Sequence, residues 1–306
     1  MNREATRTVA VSGASGLIGG RLTPFLAERG WKVLRLVRGR PSGEGEILWD
    51  LDSGKVDDVA LEGIGAVVHL AGEPIASGWW TRAKKREIRR SRVEGTRLLA
   101  EALAGLRSKP EVLVSASAVG YYGDRGDERL SEESSAGRGF LAEVAREWEA
   151  AAEPARRAGI RVVTLRNGIV LAGGGGMLGR LLVPFELGLG GVVGKGDQWV
   201  SWIAMEDLLR VVERSLEQGA LSGPVNAVAP EPVRNRELAK TLGKVLRRPV
   251  IIPLPAAALK LLLGEMAKET LLASTRALPD RLGGTGFDFR HPTLEGALRS
   301  ELDRPA

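Results

Sequence analysis

The chain has 306 residues, 43% hydrophobic and 27% charged, which are ordinary globular values and enough for one large α/β domain with a substrate lobe or for two domains sharing an interface. There is no cysteine, which excludes disulfides, thiolate catalysis and Cys-ligated zinc. The 44 basic and 38 acidic residues leave a net charge of +6, but the densest basic cluster, Arg82 to Arg92, lacks the interleaved aromatics that stack on bases, so no nucleic-acid partner is expected. No apolar run approaches the length of a membrane span, and the charged residues 1–8 carry no signal-peptide core, so a cytoplasmic protein with no membrane partner is expected.

The first element is a short apolar strand from Val9 that runs into Gly13, Gly16 and Gly19 and then into an amphipathic helix. The first glycine allows a tight turn, the second lets the backbone approach phosphates, and the third lets the helix pack closely on the strand, so free amides at the helix start face an anion. Pro24 lies inside that helix and is expected to kink it. A second strand, Trp31 to Val37, ends at Arg38 with Arg40 two residues on. An acidic residue there would bind the ribose hydroxyl of NAD, whereas Arg38 suits a 2′-phosphate, so NADP(H) is favoured as cofactor.

Further strands are expected at Ile47 to Asp50, at the fully apolar Ala66 to Gly72, at Glu111 to Ala116 and at Arg161 to Leu165, with helices at Ser91 to Leu106 and Phe140 to Gly159. This alternation predicts an α/β fold, a doubly wound parallel Rossmann sheet. From Gly173 the Gly-rich texture is poor in regular structure and marks the departure into a smaller C-terminal α/β substrate lobe. Residues 1–172 are therefore assigned to the cofactor domain and 173–306 to the substrate lobe and C-terminal domain, with segments of 198–230 returning to the sheet. The second half carries expected helices at Asp207 to Gln218, Asn235 to Leu246 and Ala256 to Leu263, and a strand at Pro224 to Ala227. His69 inside a buried strand reads as a core histidine, and with His291 far off in a loop there is no metal motif.

The segments G-A-S-G-L-I-G, L-A-G at Leu70 to Gly72, R-V-E-G-T at Arg92 to Thr96, S-A-S-A-V-G-Y-Y-G at Ser115 to Gly123 and L-R-N-G-I-V-L at Leu165 to Leu171 resemble the extended and atypical short-chain dehydrogenase/reductases. More closely, L-A-G-E-P-I, W-E-A-A-A, P-F-E-L-G-L-G-G and N-A-V-A-P-E-P resemble epimerase family proteins with a short C-terminal domain of unknown function. The resemblance implies that Gly13, Ser15, Gly16, Leu17, Ile18 and Gly19 form the phosphate loop, that Arg38 meets the 2′-phosphate, and that Leu70 and Ala71 lie beside the adenosine half. Arg92 stands where relatives often carry Asn, and its guanidinium could reach cofactor phosphates or substrate, with Glu87 orienting it. Arg166 is placed with the cofactor contacts.

For catalysis, Ser117 matches the serine that polarises a carbonyl in active relatives. The Tyr-x-x-x-Lys pair is absent: Phe140 and Val144 occupy its positions, and neither can move a proton. Tyr121 and Tyr122 are the only tyrosines, so one of them either acts as a displaced acid/base or packs and orients substrate. Trp79, Trp80, Lys84 and Lys85 either hold substrate or form an amphipathic helix start. Near Gln198, Trp199 and Trp202 no arginine occurs between Arg180 and Arg210, which counts against a nucleotide-sugar substrate. Two functions follow: an NADP(H)-dependent oxidoreductase or epimerase acting on a small-molecule carbonyl or hydroxyl substrate, or a catalytically silent NADP-binding regulatory protein like relatives labelled cell-division inhibitors. A homodimer is expected only by analogy with the fold.

Overall fold

The computed structural model describes residues 7–304, so residues 1–6 of the charged N-terminal stretch lie outside the description. Thr8–Ser12 (β1) leads through the glycine turn into Gly19–Ala27 (α1), which continues as one helix through Pro24. Lys32–Val37 (β2), Glu46–Asp50 (β3), Lys55–Val56 (β4) and the single turn Asp58–Leu61 (α2) follow, then Ala66–His69 (β5). Arg82–Gly105 (α3), Val112–Ala118 (β6) and Arg129–Leu130 (β7) precede Phe140–Ala150 (α4), Glu153–Arg157 (α5) and Arg161–Asn167 (β8). Eight strands form one sheet in the order β12-β8-β6-β5-β1-β2-β3-β4, where β12 is Gly223–Ala227, and every pair but β3–β4 is parallel. The order reverses between β1 and β5, and the crevice at the carboxyl ends of these two strands is where such sheets bind ligands.

Both sheet faces are buried, so the strands are apolar at successive positions. Val9, Val11, Val68, Val112 and Val114 face a core shared with Leu22 and Leu26 of α1. Ala10, Val67 and Leu113 face the other way, onto Leu99 and Leu103 of α3 and Ala155 of α5. The first face is completed by Met205–Glu217 (α7), a helix of the second half whose Leu208, Val211 and Val212 pack on the sheet beside the edge strand β12.

Three sequence expectations need correction. The helix expected from Ser91 begins at Arg82, where Thr81 accepts a bond from the Lys84 amide, so the basic cluster lies on the first turns of α3. The helix expected over Phe140 to Gly159 is two helices, because Pro154 has no amide proton to continue the ladder. The region after Gly173 is not poor in structure. Just before it lies Ile169–Leu171 (β9), and from Gly173 on the chain holds Gly176–Glu186 (α6), Trp199–Val200 (β10), Trp202–Ala204 (β11) and Val233–Arg234 (β13).

The chain then continues through Asn235–Leu246 (α8), Ala256–Leu263 (α9), Arg276–Ala277 (β14), Asp280–Gly284 (α10) and Leu294–Glu301 (α11). A third core of Leu178, Phe185, Trp202, Leu238, Leu242 and Leu298 holds this lobe together. No helix among the described residues is long and apolar enough to cross a membrane.

Candidate functional site

The loop between β1 and α1 is built so closely that only glycine fits. Gly13 has φ +67°, and a Cβ there would sit 3.0 Å from both the Ala71 nitrogen and the Leu70 carbonyl carbon. A Cβ on Gly19 would lie 2.2 Å from the Gly13 carbonyl oxygen, closer than any real contact. The Gly16 amide donates to that same oxygen at 2.9 Å. The outcome is a tight cradle whose exposed rim is Ser15, Gly16 and Leu17, while Ile18 turns into the core.

The opposite wall is fixed from below. Ser12 Oγ accepts from the Leu70 amide at 3.1 Å and the Ala71 amide at 3.2 Å, and lies 2.7 Å from His69 Nδ1. With its oxygen accepting twice, the serine proton points at Nδ1, which assigns the ring hydrogen to Nε2. His69 is fully buried, and burial pulls its pKa down to about 4. It is a neutral positioning residue beneath the loop.

Cradle and wall border an open cavity of about 600 Å³. Gly13 to Gly16, Leu70 to Pro74, Trp49 and Asp52 line it, together with Arg38, whose side chain is exposed. Arg35 nearby is already paired with Glu46 at 3.0 Å. Glu87 also lines the cavity, but its ion-pair partner is Arg90 at 3.6 Å, not the expected Arg92. Gly175 and Gly176 close over Leu17, where a Cβ on either would come within 3.0 Å of the leucine side chain.

The residues expected to carry catalysis fall in a separate buried polar network. Ser117 Oγ donates to Glu149 Oε1 at 2.8 Å, and Arg166 grips the same carboxylate with two bonds, Nε to Oε1 at 2.8 Å and Nη2 to Oε2 at 2.9 Å. Burial opposes the Arg166 charge, but the Glu149 carboxylate outweighs it and holds the guanidinium above its usual pKa. Arg166 is 3% exposed and does not line the cavity, so the expected cofactor contact is replaced by this internal pair. Its Nη1 also donates to the Tyr122 hydroxyl at 2.9 Å.

Tyr122 is wholly buried, with its oxygen 2.7 Å from Asn226 Oδ1, and burial raises its pKa. The expectation that it shuttles protons is thereby corrected. Tyr121 differs: it is half-buried, its ring lies on the Arg166 guanidinium at 3.6 Å to the centroid, and its hydroxyl bonds to no described residue. Glu132 ends the network. Burial raises its pKa, one oxygen accepts from the Asn226 and Arg281 amides, and the other has no partner.

The helix that lacks Tyr and Lys is tied down from elsewhere. Glu269, in a π-helical turn over Ala267–Leu271, accepts from the Phe140 and Leu141 amides at 2.8 and 2.7 Å, capping α4 from outside. Phe140 packs edge-on against Trp80 at 5.3 Å, with the Lys85 ammonium over its ring. Lys85 is bound to Glu265 and Lys84 to Glu73, so both lysines are internally paired. Trp202 is buried, Trp199 donates to Asp127, and Gln198 bonds two backbone carbonyls.

Arg92, on α3, reaches toward Trp148 of α4 and lies against Gly72. Its Nη1 donates to the Glu73 and Ile88 carbonyls at 2.9 and 3.2 Å, and its guanidinium lies 5.1 Å from the Trp148 ring. Burial lowers its pKa to about 10, a shift the nearby Glu73 opposes, so it stays charged at neutral pH. Sequence reasoning missed Glu149, Glu132 and Glu269. For Glu149 a signal existed, because an arginine inside a buried strand requires a carboxylate from a neighbouring element.

A reversed parallel sheet with a glycine cradle at its switch point defines a Rossmann-type nucleotide-binding protein of the short-chain dehydrogenase/reductase kind. The chain belongs to the NAD dependent epimerase/dehydratase family, whose model matches residues 9–227, and residues 254–301 match a domain of unknown function (DUF1731). Epimerase family protein Mb2239 of Mycobacterium bovis is 42% identical over 301 residues, covering 98% of this chain and 99% of the relative. The crystal structure of human epimerase family protein SDR39U1 with NADPH superposes with a TM-score of 0.87 at 34% identity, over 97% of this chain and 99% of that one. A nucleoside-diphosphate sugar epimerase from Corynebacterium glutamicum gives a TM-score of 0.80 at 40% identity, over 96% of this chain and 58% of that one.

Proposed function

We propose that the protein binds NADP(H) along the groove from the glycine cradle to Arg38 and acts as an oxidoreductase or epimerase on a small-molecule carbonyl or hydroxyl substrate. The observation that carries this reading is the glycine cradle, too tight for a Cβ at Gly13 or Gly19, opening into a cavity of about 600 Å³ that the exposed Arg38 also lines. The human relative solved with NADPH supports the choice of cofactor. Gly13, Ser15 and Gly16 would hold the pyrophosphate, Leu70 and Ala71 would line the adenosine side, and Arg38 would take the 2′-phosphate. When bound, the nicotinamide supplies a hydride donor or acceptor.

The groups available for proton transfer are few. Tyr121 is the proton donor in this reading, because its hydroxyl is accessible and uncommitted whereas that of Tyr122 is sealed. Ser117 orients rather than donates, since Glu149 holds its proton. The same commitment of Ser117, with Phe140 and Val144 on α4, favours a second reading in which the protein binds NADP(H) without turnover.

Titration with NADPH and NADH, followed by nicotinamide fluorescence, tests the first step. NADPH is expected to bind more tightly than NADH, and Arg38→Ala is expected to remove most of that preference. Absence of binding by either nucleotide would sink the proposal. A carbonyl-substrate screen on the loaded protein then separates the readings: turnover lost in Tyr121→Phe supports the enzyme, and tight binding with no turnover supports the silent binder.

A further inference from the structure

Helix α9 is apolar on every side, yet it buries nothing. Of its eight residues only Lys260 is polar and none is buried, with Leu261 83% and Leu262 59% exposed. A helix that is hydrophobic all round belongs inside a core or against lipid. Ala256 rests on the lobe beside Gly194, where a Cβ would stand 3.6 Å from its own, but no part of the lobe covers the two leucines at the other end.

The surroundings of these leucines are basic. The Lys85–Glu265 ion pair, 2.8 Å long, joins the first turn of α3 to the end of α9 across 180 residues of chain. Arg82 and Arg86 lie within three residues of Lys85, and Lys260 and Lys268 within five of Glu265; all four are exposed, and none forms an ion pair among the described residues. The acids of these segments are already committed, Glu265 to Lys85, Glu269 to the α4 amides and Glu87 to Arg90. Trp79, 66% exposed, stands three residues before Arg82 on the loop that begins at the groove-lining Gly72, Glu73 and Pro74. An exposed indole, two exposed leucines and four unbalanced cations are thus gathered around one ion pair.

We propose that this face docks on an anionic lipid bilayer, with Leu261, Leu262 and Trp79 entering the headgroup boundary and Arg82, Arg86, Lys260 and Lys268 meeting lipid phosphates. Charge selects this occupant. A second copy would bring the same cations against one another, and a nucleic acid would leave the leucines in water with a single indole for stacking. The contact is peripheral, since no helix among the described residues is long and apolar enough to cross a membrane. It is independent of the NADP(H) reading and holds the loop beside the groove at the lipid surface.

The experiment is co-sedimentation of the whole protein with vesicles of phosphatidylcholine alone and of phosphatidylcholine with about one third phosphatidylglycerol. Binding is expected to the anionic vesicles only, and to weaken as salt rises. Each cation at such a surface contributes about fivefold, so Arg82→Gln combined with Lys260→Gln is expected to lower binding about twentyfold. Leu261→Asp combined with Leu262→Asp, at two exposed positions, is expected to abolish it, with an unchanged urea unfolding curve as the check on the fold. Should the aspartate pair fold poorly, the glutamine pair decides, together with quenching by lipids brominated in the acyl chain, part of which Trp79→Leu is expected to remove.

A wild type that stays in solution with anionic vesicles overturns the proposal, as does equal binding to uncharged ones or binding that the aspartate pair leaves intact. A dimer in light scattering that the aspartate pair splits gives the face to a second copy and overturns it as well.

Discussion

Replacing His69 with asparagine is expected to flatten the acid limb of the stability curve. The imidazole is fully buried and neutral, with a folded-state pKa near 4 against about 6.5 in the unfolded chain. Between those values the unfolded state holds a proton that the folded state does not, so stability is complete above about pH 6.5 and drains away as pH falls toward 4. At about 1.4 kcal/mol per pH unit the interval is worth about 3 kcal/mol. Asparagine offers Ser12 an acceptor oxygen in place of Nδ1 but cannot titrate, and the smaller side chain costs about 1–3 kcal/mol at neutral pH. Urea unfolding of both proteins, stepped from about pH 7.5 to about pH 4, gives the comparison, and the difference between the curves cancels the carboxylates they share. Wild type should lose about 3 kcal/mol more than the variant across the window. Parallel curves would show that His69 does not carry the shift, and the account of the wall beneath Leu70 and Ala71 would fail with it.

Two further changes probe the site and its support. Gly19→Ala forces a methyl to within 2.2 Å of the Gly13 oxygen, and because the obstacle is backbone the loop must move; NADPH affinity is expected to fall by at least about tenfold, read by fluorescence titration, and unchanged affinity would refute the cradle. Glu149→Gln leaves Arg166 buried without a counter-charge and is expected to cost about 3–5 kcal/mol in chemical denaturation, whereas the double change Glu149→Leu with Arg166→Met should recover much of it, and a double variant no better than the single would count against the pair.

Periodicity and punctuation in the sequence settle a great deal. The runs at Val9, Ala66, Val112 and Arg161 are apolar at successive positions because both faces of a parallel sheet are covered, and Gly16 and Gly19 answer to backbone contacts within their own loop, although Gly13 answers to Leu70 and Ala71 of a distant strand end. Helices α8 and α9 lie where their residue pattern places them, at Asn235–Leu246 and Ala256–Leu263. The tertiary structure decides whatever depends on a partner distant in the chain. Ser117, Tyr121 and Tyr122 are near neighbours in sequence, yet one is bound to Glu149, one is sealed against Asn226, and one keeps a free hydroxyl. Arg166 is buried and Arg92 part-buried, but only the first is bonded to a carboxylate, from a helix 17 residues earlier; among the described residues Arg92 has no ion pair and feels Glu73 only at longer range. Local sequence sets the backbone path through sterics and hydrophobic burial, which act over one strand or one turn. The charge state and accessibility of a side chain are set by what the fold brings against it, and that is fixed only once the sheet and its helices have packed.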